Sequence, residues 1–396
     1  MFDAFATTHI PPPSRNLSSS LLLLCNACPI PPNSSLENAE ESAISKSSIG
    51  MRIEIQIPMH PAHRNTHQEA HPCIWAVVLA AGDGTRLRPV TRMLYGHDLP
   101  KQFAALNSDR TLLQQTMDRL RSLVAPDHTL VVVAEDREHL AKAQLAEFDG
   151  VQIVRQPANL GTGPGVLLPL SLIKAQSPRS MVIVTPSDHV IPSTASFLYA
   201  ARRALSAARH APSGLAVVGA EADGPAPDLG WVIPREPGPK NAPDVDWVEV
   251  FVEKPSTRLA KDLLGRGGLW NTLIVAGSVE SFWLQAQKYM PHQTMLFTSY
   301  SDALAQGGLA DEQQFALLDQ IYQAIPVADF SRAVLQKVKG MAVVKMKGSG
   351  WSDCGTPERL LTSLARATHL RPQWIDEIRR AVQSQLPAPL SLDHSA

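Results

Sequence analysis

The sequence predicts an α/β fold: a mixed, mostly parallel β-sheet with helices packed on both faces. Three observations lead there. Short, continuously apolar, β-branched runs recur along the chain, the pattern of strands buried on both faces. Segments with apolar residues at helical spacing lie between them. Strand and helix alternate, so crossovers return the chain in the same direction and favour parallel pairing.

Taken in order, Trp75–Leu79 is the first such strand, and Leu112, Leu113, Thr116, Met117 and Leu120 then form a helical stripe. Leu130–Val133 reads as a strand, the stretch through Leu140 and Leu145 as a helix, and Val151–Val154 as the next strand. Met181–Val184 is another buried strand, followed by a helix across Phe197–Ala208 and a strand at Leu215–Val218. The later strands Trp247–Val252 and Ala342–Met346 are expected to bring in mixed pairing. Thr356 can cap a helix with Pro357 at its first position, and Leu360, Leu361 and Leu364 supply its apolar face. The last ten residues read as disordered, and no internal repeat is present.

Composition narrows the function. The chain has 396 residues, 44% of them hydrophobic, with 36 Lys and Arg against 37 Asp and Glu. That balance argues against a polybasic binder of nucleic acid or membrane surface, while leaving a local basic site open. The longest clean apolar run, Ile74–Ala81, falls far short of the roughly 18 residues a membrane-spanning helix needs. Four cysteines in a chain of this size do not make a disulfide scaffold. A cytoplasmic protein is expected, with neither nucleic acid nor membrane as partner and a homo-oligomer left open.

Residues 1–70 read as a disordered leader. Pro11, Pro12, Pro13, Pro29, Pro31 and Pro32, among scattered Ser and Asn, interrupt any buried face. Leu21–Leu24 is too short for a signal-peptide core and only Arg15 is basic before it. Cys25 and Cys28 form a lone CxxC without a second pair. His60, His63, His67 and His71 have near-helical spacing, but Pro61 and Pro72 flank them, so they read as solvated leader. Met51 is an alternative start.

The run Leu79-Ala80-Ala81-Gly82-Asp83-Gly84-Thr85-Arg86-Leu87 sits where an open α/β sheet places ligands, beyond the carboxyl end of a strand. Gly82 and Gly84 can adopt positive φ and let backbone N–H groups approach a phosphate. Arg86 and Lys101 add full positive charge. A dinucleotide fingerprint requires Gly or Ala where Leu87 stands, which weakens a nicotinamide-dependent oxidoreductase. There is no Gly-Lys-Ser/Thr, which removes the P-loop. A Gly-x-Gly turn alone is weak; followed by Thr-Arg-Leu, Pro89 and Pro100-Lys101-Gln102-Phe103 it becomes far more specific.

With those residues the sequence resembles the sugar-1-phosphate nucleotidyltransferases, and Pro100–Phe103 is most similar to their mannose-1-phosphate guanylyltransferase branch. Further matches fall in family order: Asn159 with Thr162 and Pro164, Pro186-Ser187-Asp188-His189, Gly230-Trp231-Val232, Glu253-Lys254-Pro255, Trp270-Asn271-Thr272 and Gly350-Trp351-Ser352-Asp353. They cover about Trp75 to Leu360. The resemblance implies a Rossmann-like nucleotidyltransferase fold over residues 71–355, with a C-terminal helix and tail over 356–396. It also implies a nucleoside triphosphate, GTP favoured, and a sugar-1-phosphate as partners.

The implied reaction is attack by a sugar-1-phosphate oxygen on the α-phosphorus of the triphosphate. That nucleophile is already ionised, so the obstacle is bringing two polyanions together; in-line positioning and charge neutralisation are what a protein must supply. The resemblance carries this work to Arg86, Lys101 and Asp188, and nucleotide binding to Ala81, Gly82, Gly84, Thr85, Asn159 and Thr162. Asp188 and Asp353 each follow a strand, and oxygen ligands without nearby sulfur pairs favour Mg²⁺ over zinc. The family holds Mg²⁺ with both aspartates; a lone Asp after a strand is otherwise commonly a turn cap. Glu253 and Asn271 are the pair expected for sugar hydroxyls, and Lys254 can reach the sugar phosphate. Without the family context Glu253-Lys254 would read as an ordinary surface ion pair. His189 reads either as support for the metal site or as a structural histidine; Trp270 reads as core and Cys354 as a small packed residue.

Ala81 stands where Gly is common, Gly163 where Ala is usual, and Leu273 where Gly follows Asn-Ser/Thr, while extra residues separate Thr91 from Pro100. These departures bear on nucleobase and sugar more than on reaction type. The rivals are a glucose-1-phosphate uridylyl- or thymidylyltransferase and a non-catalytic subunit that binds a sugar nucleotide for regulation.

Overall fold

Ile74–Leu79 (β1) alternates between two cores: Trp75 and Val77 face one, Ala76 and Val78 the other. Thr129–Ala134 (β2) and Met181–Pro186 (β4) do the same, with Leu130 and Val132 opposed to Val131 and Val133, and Val182 and Val184 opposed to Met181 and Ile183. This two-faced burial is why these runs contain almost no polar residues. The structure is a computed structural model and describes residues 73–236, 238, 242, 244–365 and 372–383. These residues belong to a unit spanning Glu69–Ala396. The expectations for the leader, its CxxC and histidines, and the last ten residues lie outside the described residues.

The remaining strands are Gln152–Gln156 (β3), Leu215–Glu221 (β5), Gly230–Arg235 (β6), Val245–Glu253 (β7), Leu269–Ser278 (β8) and Ala342–Met346 (β9). They form one nine-stranded sheet in the order β3-β2-β1-β4-β8-β5-β9-β7-β6, with β8 also pairing β6. Pairing is parallel among β3, β2, β1 and β4, and between β5 and β9. β8 runs antiparallel to β4, β5 and β6, and β7 antiparallel to β6 and β9. The mixed pairing expected of the later strands is therefore present, but the sheet is not mostly parallel: five of its nine pairings are antiparallel, because β8 and β7 reverse direction against their neighbours.

Helices cover both faces: Arg88–Tyr95 (α1), Leu112–Leu120 (α2), Glu138–Leu145 (α3), Thr162–Gln176 (α4), Thr194–Ala208 (α5), Thr257–Gly265 (α6), Val279–Tyr289 (α7), Pro291–Gln306 (α8), Asp311–Ala324 (α9), Pro357–Ala365 (α10) and Pro372–Gln383 (α11). Among the described residues no helix is long and apolar enough to cross a membrane. Thr356 caps α10 as expected, its Oγ1 accepting the Arg359 N–H at 3.3 Å.

One stretch departs from expectation. The strand and helix readings assign no element to the stretch around Pro164 and Pro169, yet Thr162 begins α4 and Pro169 lies inside it. Nearly every residue from Gly163 to Ile173 is buried, so packing on all sides offsets the hydrogen bond that Pro169 removes. The helix start is set by Gly161 at φ +88°, where a Cβ would lie 2.5 Å from the Ala328 carbonyl oxygen. Gly161→Ala is therefore expected to destabilise the fold by roughly 1–3 kcal/mol, read as a lowered midpoint in urea. An unchanged midpoint would contradict the packing described.

Candidate active site

The segment after β1 is a short loop, a single 3₁₀ turn at Thr85–Leu87, and then α1. Gly84 precedes the turn at φ +57°, and a Cβ there would lie 3.1 Å from the Lys101 backbone nitrogen. Gly84 thus has the positive φ expected of it, whereas Gly82 does not and has open space beside it. The loop is held by side chains from elsewhere. Gln102 Nε2 donates to the carbonyls of Ala80 and Gly82, each at 2.8 Å. Arg137 donates to the Gly82 carbonyl and to Asp83 Oδ1, the latter at 2.6 Å. Asn159 Nδ2 donates to Asp83 Oδ2 at 2.9 Å while its Oδ1 accepts the Gly161 N–H. Burial would raise the Asp83 carboxyl, but the bonds from Arg137 and Asn159 outweigh it and hold the pKa below its ordinary value.

Two further loops meet this one. Ser187, at the end of β4, donates through both N–H and hydroxyl to the Leu79 carbonyl, so the chain next to Asp188 is tied to the end of β1. Val190 and Ser352 exchange a pair of backbone bonds, each 2.9 Å, joining the segments that carry Asp188 and Asp353. Between them lies the Lys101 ammonium, 3.1 Å from Asp188 Oδ2 and 2.5 Å from the Asp353 carbonyl oxygen. Burial would push the Asp188 carboxyl up, but the charges of Lys101 and His189 and the Lys101 bond hold it below its ordinary value. His189 is driven down to about 4 by burial. It is therefore neutral near pH 7; Nδ1 accepts from the Trp351 indole at 3.2 Å, and Nε2 lies 3.6 Å from Asp188 Oδ1. This geometry suits a structural histidine that supports Asp188.

A cavity of about 290 Å³ opens at this junction, lined by Asp83, Gly84, Thr85, Arg86, Leu87, Lys101, Asp188, Cys354 and Gly355. Its lining does not include Ala81, Gly82, Asn159 or Thr162; Thr162 instead accepts the Phe330 N–H through its hydroxyl at 2.8 Å. Glu253, Lys254 and Asn271 group at a second locus, around Gly230. A Cβ on Gly230 would lie 2.5 Å from Glu253 Oε2 and 3.0 Å from Asn271 Cβ. Asn271 Nδ2 donates to Ser331 Oγ, and the Glu253 N–H to Gln336 Oε1. Glu253 Oε2 is buried without a partner among the described residues, and burial with the nearby Asp329 charge pushes its carboxyl up to about 7. Lys254 is half-exposed and only 4.0 Å from Glu253, a loose pair. Trp270 packs in the core between Trp231 and Trp351, as expected.

The donors near Lys101 are hard oxygens. Asp353 Oδ1 is buried and accepts no well-aligned hydrogen bond, although Arg359 Nε is 2.7 Å away. The Cys354 thiol is fully buried and pushed up to about 11 by that burial, so it stays protonated and offers no thiolate, as its reading as a packed residue requires. Among the described residues no three His, Cys, Asp or Glu gather as a ready-made metal cage. Two carboxylates fit a cation that completes its shell with water and phosphate oxygens, the habit of Mg²⁺.

The sequence reading missed Asp228 and Arg359. Asp228 Oδ2 accepts from Arg86 and from Arg359, each at 2.6 Å, and Arg359 also pairs with Asp353. The Asp228 contacts join residues more than a hundred positions apart, so no local pattern announces them; only an acid in a Pro-rich loop and a basic residue in a helix's first turn were visible.

The fold and this constellation define an α/β protein with a glycine turn and paired cations at one cavity, and the chain belongs to the nucleotidyl transferase family, whose model matches residues 75–369. It is 30% identical over 294 residues to a mannose-1-phosphate guanylyltransferase of Escherichia coli (strain K12), covering 72% of this chain and 58% of that protein. It is 29% identical over 286 residues to the alginate biosynthesis protein AlgA of Pseudomonas fluorescens, covering 70% and 56%. The chain thus spans a little over half the length of these curated relatives. A crystal structure from Thermus thermophilus, described as a mannose-1-phosphate geranyltransferase, superposes with a TM-score of 0.63 at 25% identity, over 75% of this chain and 81% of the other.

Glu253 carries a pH signature. Its carboxyl titrates near 4.5 when unfolded and at about 7 when folded, so folding favours the neutral acid and stability falls as pH rises between those values. Glu253→Gln removes that loss. The variant should exceed the parent by about 1–3 kcal/mol at pH 8 and differ far less at pH 5, measured by urea unfolding. Equal stability at pH 8 would contradict the buried, unpartnered carboxylate.

Proposed function

We propose that this chain transfers a nucleotidyl group from a nucleoside triphosphate to a sugar-1-phosphate, with GTP and mannose-1-phosphate as substrates and GDP-mannose and pyrophosphate as products. The observation that carries this reading is the convergence of the glycine turn, Arg86, Lys101 and Asp188 on one cavity, with the Asp353 loop closing it. Gly84 and Thr85 offer backbone N–H groups to the triphosphate, and Arg86 adds a fork suited to paired phosphate oxygens. Lys101, already placed between two acidic loops, acts as a point charge at the α-phosphate. As the new bond forms between the sugar-phosphate oxygen and the α-phosphorus, the bond to the β-phosphate oxygen breaks, and its electron pair leaves with pyrophosphate. No base is required, because the nucleophile arrives ionised. Fixed cations at the developing charge are what the site has to offer.

Asp188 and Asp353 would hold Mg²⁺ here, and the ion would neutralise the phosphates it touches. Glu253 and Asn271 would take the sugar hydroxyls, and Lys254 the sugar phosphate. Asn159 and Thr162 support nucleotide binding indirectly, Asn159 by fixing Asp83 and Gly161, and Thr162 by anchoring the turn at Phe330. The relatives' names favour guanine and mannose. A chain that uses these substrates belongs in the cytoplasm, where nucleoside triphosphates are made.

The test is pyrophosphate release with Mg²⁺ across GTP, UTP, dTTP, ATP and CTP, each with mannose- or glucose-1-phosphate. Release with GTP and mannose-1-phosphate is expected. Another productive pair would keep the reaction and change the substrates, while silence from folded protein that still binds a sugar nucleotide would favour a regulatory subunit. Asp188→Asn is expected to lower turnover by at least about 10²–10³-fold with an unchanged circular dichroism spectrum. Near-parental turnover would overturn the role given to Asp188.

A further inference from the structure

The two loci are bridged by one short segment at the entry to β6. Asp228 bonds Arg86 and Arg359 at the cavity. The Leu229 carbonyl accepts the Lys254 N–H at 3.2 Å, next to Glu253. Gly230 packs against Glu253 and Asn271. The Asp228 carboxylate takes three bonds from two guanidinium groups: Arg86 Nη1 and Arg359 Nη2 on Oδ2, and Arg359 Nη1 on Oδ1 at 2.8 Å. The group closes over Gly355 in the cavity wall, where a Cβ would collide with Asp353 Oδ2 and lie 2.5 Å from Arg359 Nη2 and 2.8 Å from Arg86 Nη2. Arg359 bonds both Asp228 and Asp353 through its Nη groups. Among the described residues Arg86 is held at one end only, and its side chain is 55% exposed.

We propose that Asp228 is a positioning residue that acts through Arg86, fixing the guanidinium at the triphosphate end of the cavity and coupling it to the sugar locus through Leu229 and Gly230. The proposal rests on the transfer reading above. Two guanidinium groups side by side repel unless an anion lies between them, and Asp228 is that anion. Without it Arg86 swings free, while Arg359 keeps its hold on Asp353. Removing a negative charge beside the phosphates also favours ground-state binding of the nucleotide. The signature is thus a split: kcat falls and KM for the triphosphate does not rise.

The test is steady-state pyrophosphate release by the full chain, its Asp228→Asn and Asp228→Glu variants, and the Arg86→Gln and Arg86→Gln/Asp228→Asn variants. Asp228→Asn should lose about 10–100-fold in kcat with KM for the triphosphate unchanged or lower. Asp228→Glu, which keeps the charge, should recover most of the loss. In the Arg86→Gln background the second substitution should cost less than about threefold. Should Asp228→Asn fail to fold, Asp228→Ser takes its place in the same cycle. A parent chain that releases no pyrophosphate overturns the transfer reading and this proposal with it. A parent that turns over while Asp228→Asn keeps kcat within about threefold, or while the loss is as large without Arg86, overturns this proposal alone.

Discussion

The site depends on one buried cation. The Lys101 side chain is 10% exposed, and its ammonium lies against the Asp188 carboxylate and the Asp353 carbonyl oxygen. A charge withdrawn from water must find partners or be lost to protonation change, and here the partners come from two other parts of the chain. Lys101 therefore does more than add charge: it brings the segments that follow β4 and β9 to the one that follows α1. Its neighbour Gln102 fixes the glycine loop through two backbone carbonyls. The backbone bridge between Val190 and Ser352 completes the frame. An anionic ligand entering this frame meets cations whose positions the fold has already set, which is the condition for electrostatic preorganisation.

Backbone strain falls beside the candidate ligands. Among the described residues, the non-glycine positions with positive φ are Lys254, Leu273 and Cys354, at +52°, +54° and +46°. Each adjoins a candidate ligand: Lys254 follows Glu253, Cys354 follows Asp353, and Leu273 donates its N–H to Asn271 Oδ1 at 3.0 Å. Such conformations persist only where the surroundings over-determine them, and they collect at sites where side chains must point in unusual directions. Leu273 is instructive, because the sequence already marked it as a departure where glycine is customary. The backbone turn that glycine would serve is retained, and β8 with its pairings to β4, β5 and β6 supports the strained residue.

Strands β1, β2 and β4 were legible because burial on both faces leaves an unbroken apolar run. The glycine loop was legible because its position after β1 and its chemistry agree. α4 was hidden by Pro164 and Pro169, whose local preference yields to burial around the whole helix. β8 was hidden because Trp270-Asn271-Thr272 interrupts its apolar pattern where the strand lines a polar locus. Asp228 and Arg359 were hidden for a different reason. An ion network between remote segments has no period, and nothing in the neighbouring sequence distinguishes Asp228 from a loop acid or Arg359 from a solvated helical arginine.

Under the proposed function, the frame that Lys101 holds between Asp188 and the Asp353 carbonyl would place both carboxylates where they can hold a divalent cation beside the glycine turn. The most direct measurement is a crystal structure of the chain grown with Mn²⁺ and a non-hydrolysable GTP analogue, with anomalous scattering locating the metal. The expected map shows a manganese peak within coordinating distance of both carboxylates and phosphate oxygens against Arg86 and Lys101. Bound nucleotide with the metal held by neither aspartate, or with its phosphates away from Lys101, would contradict it.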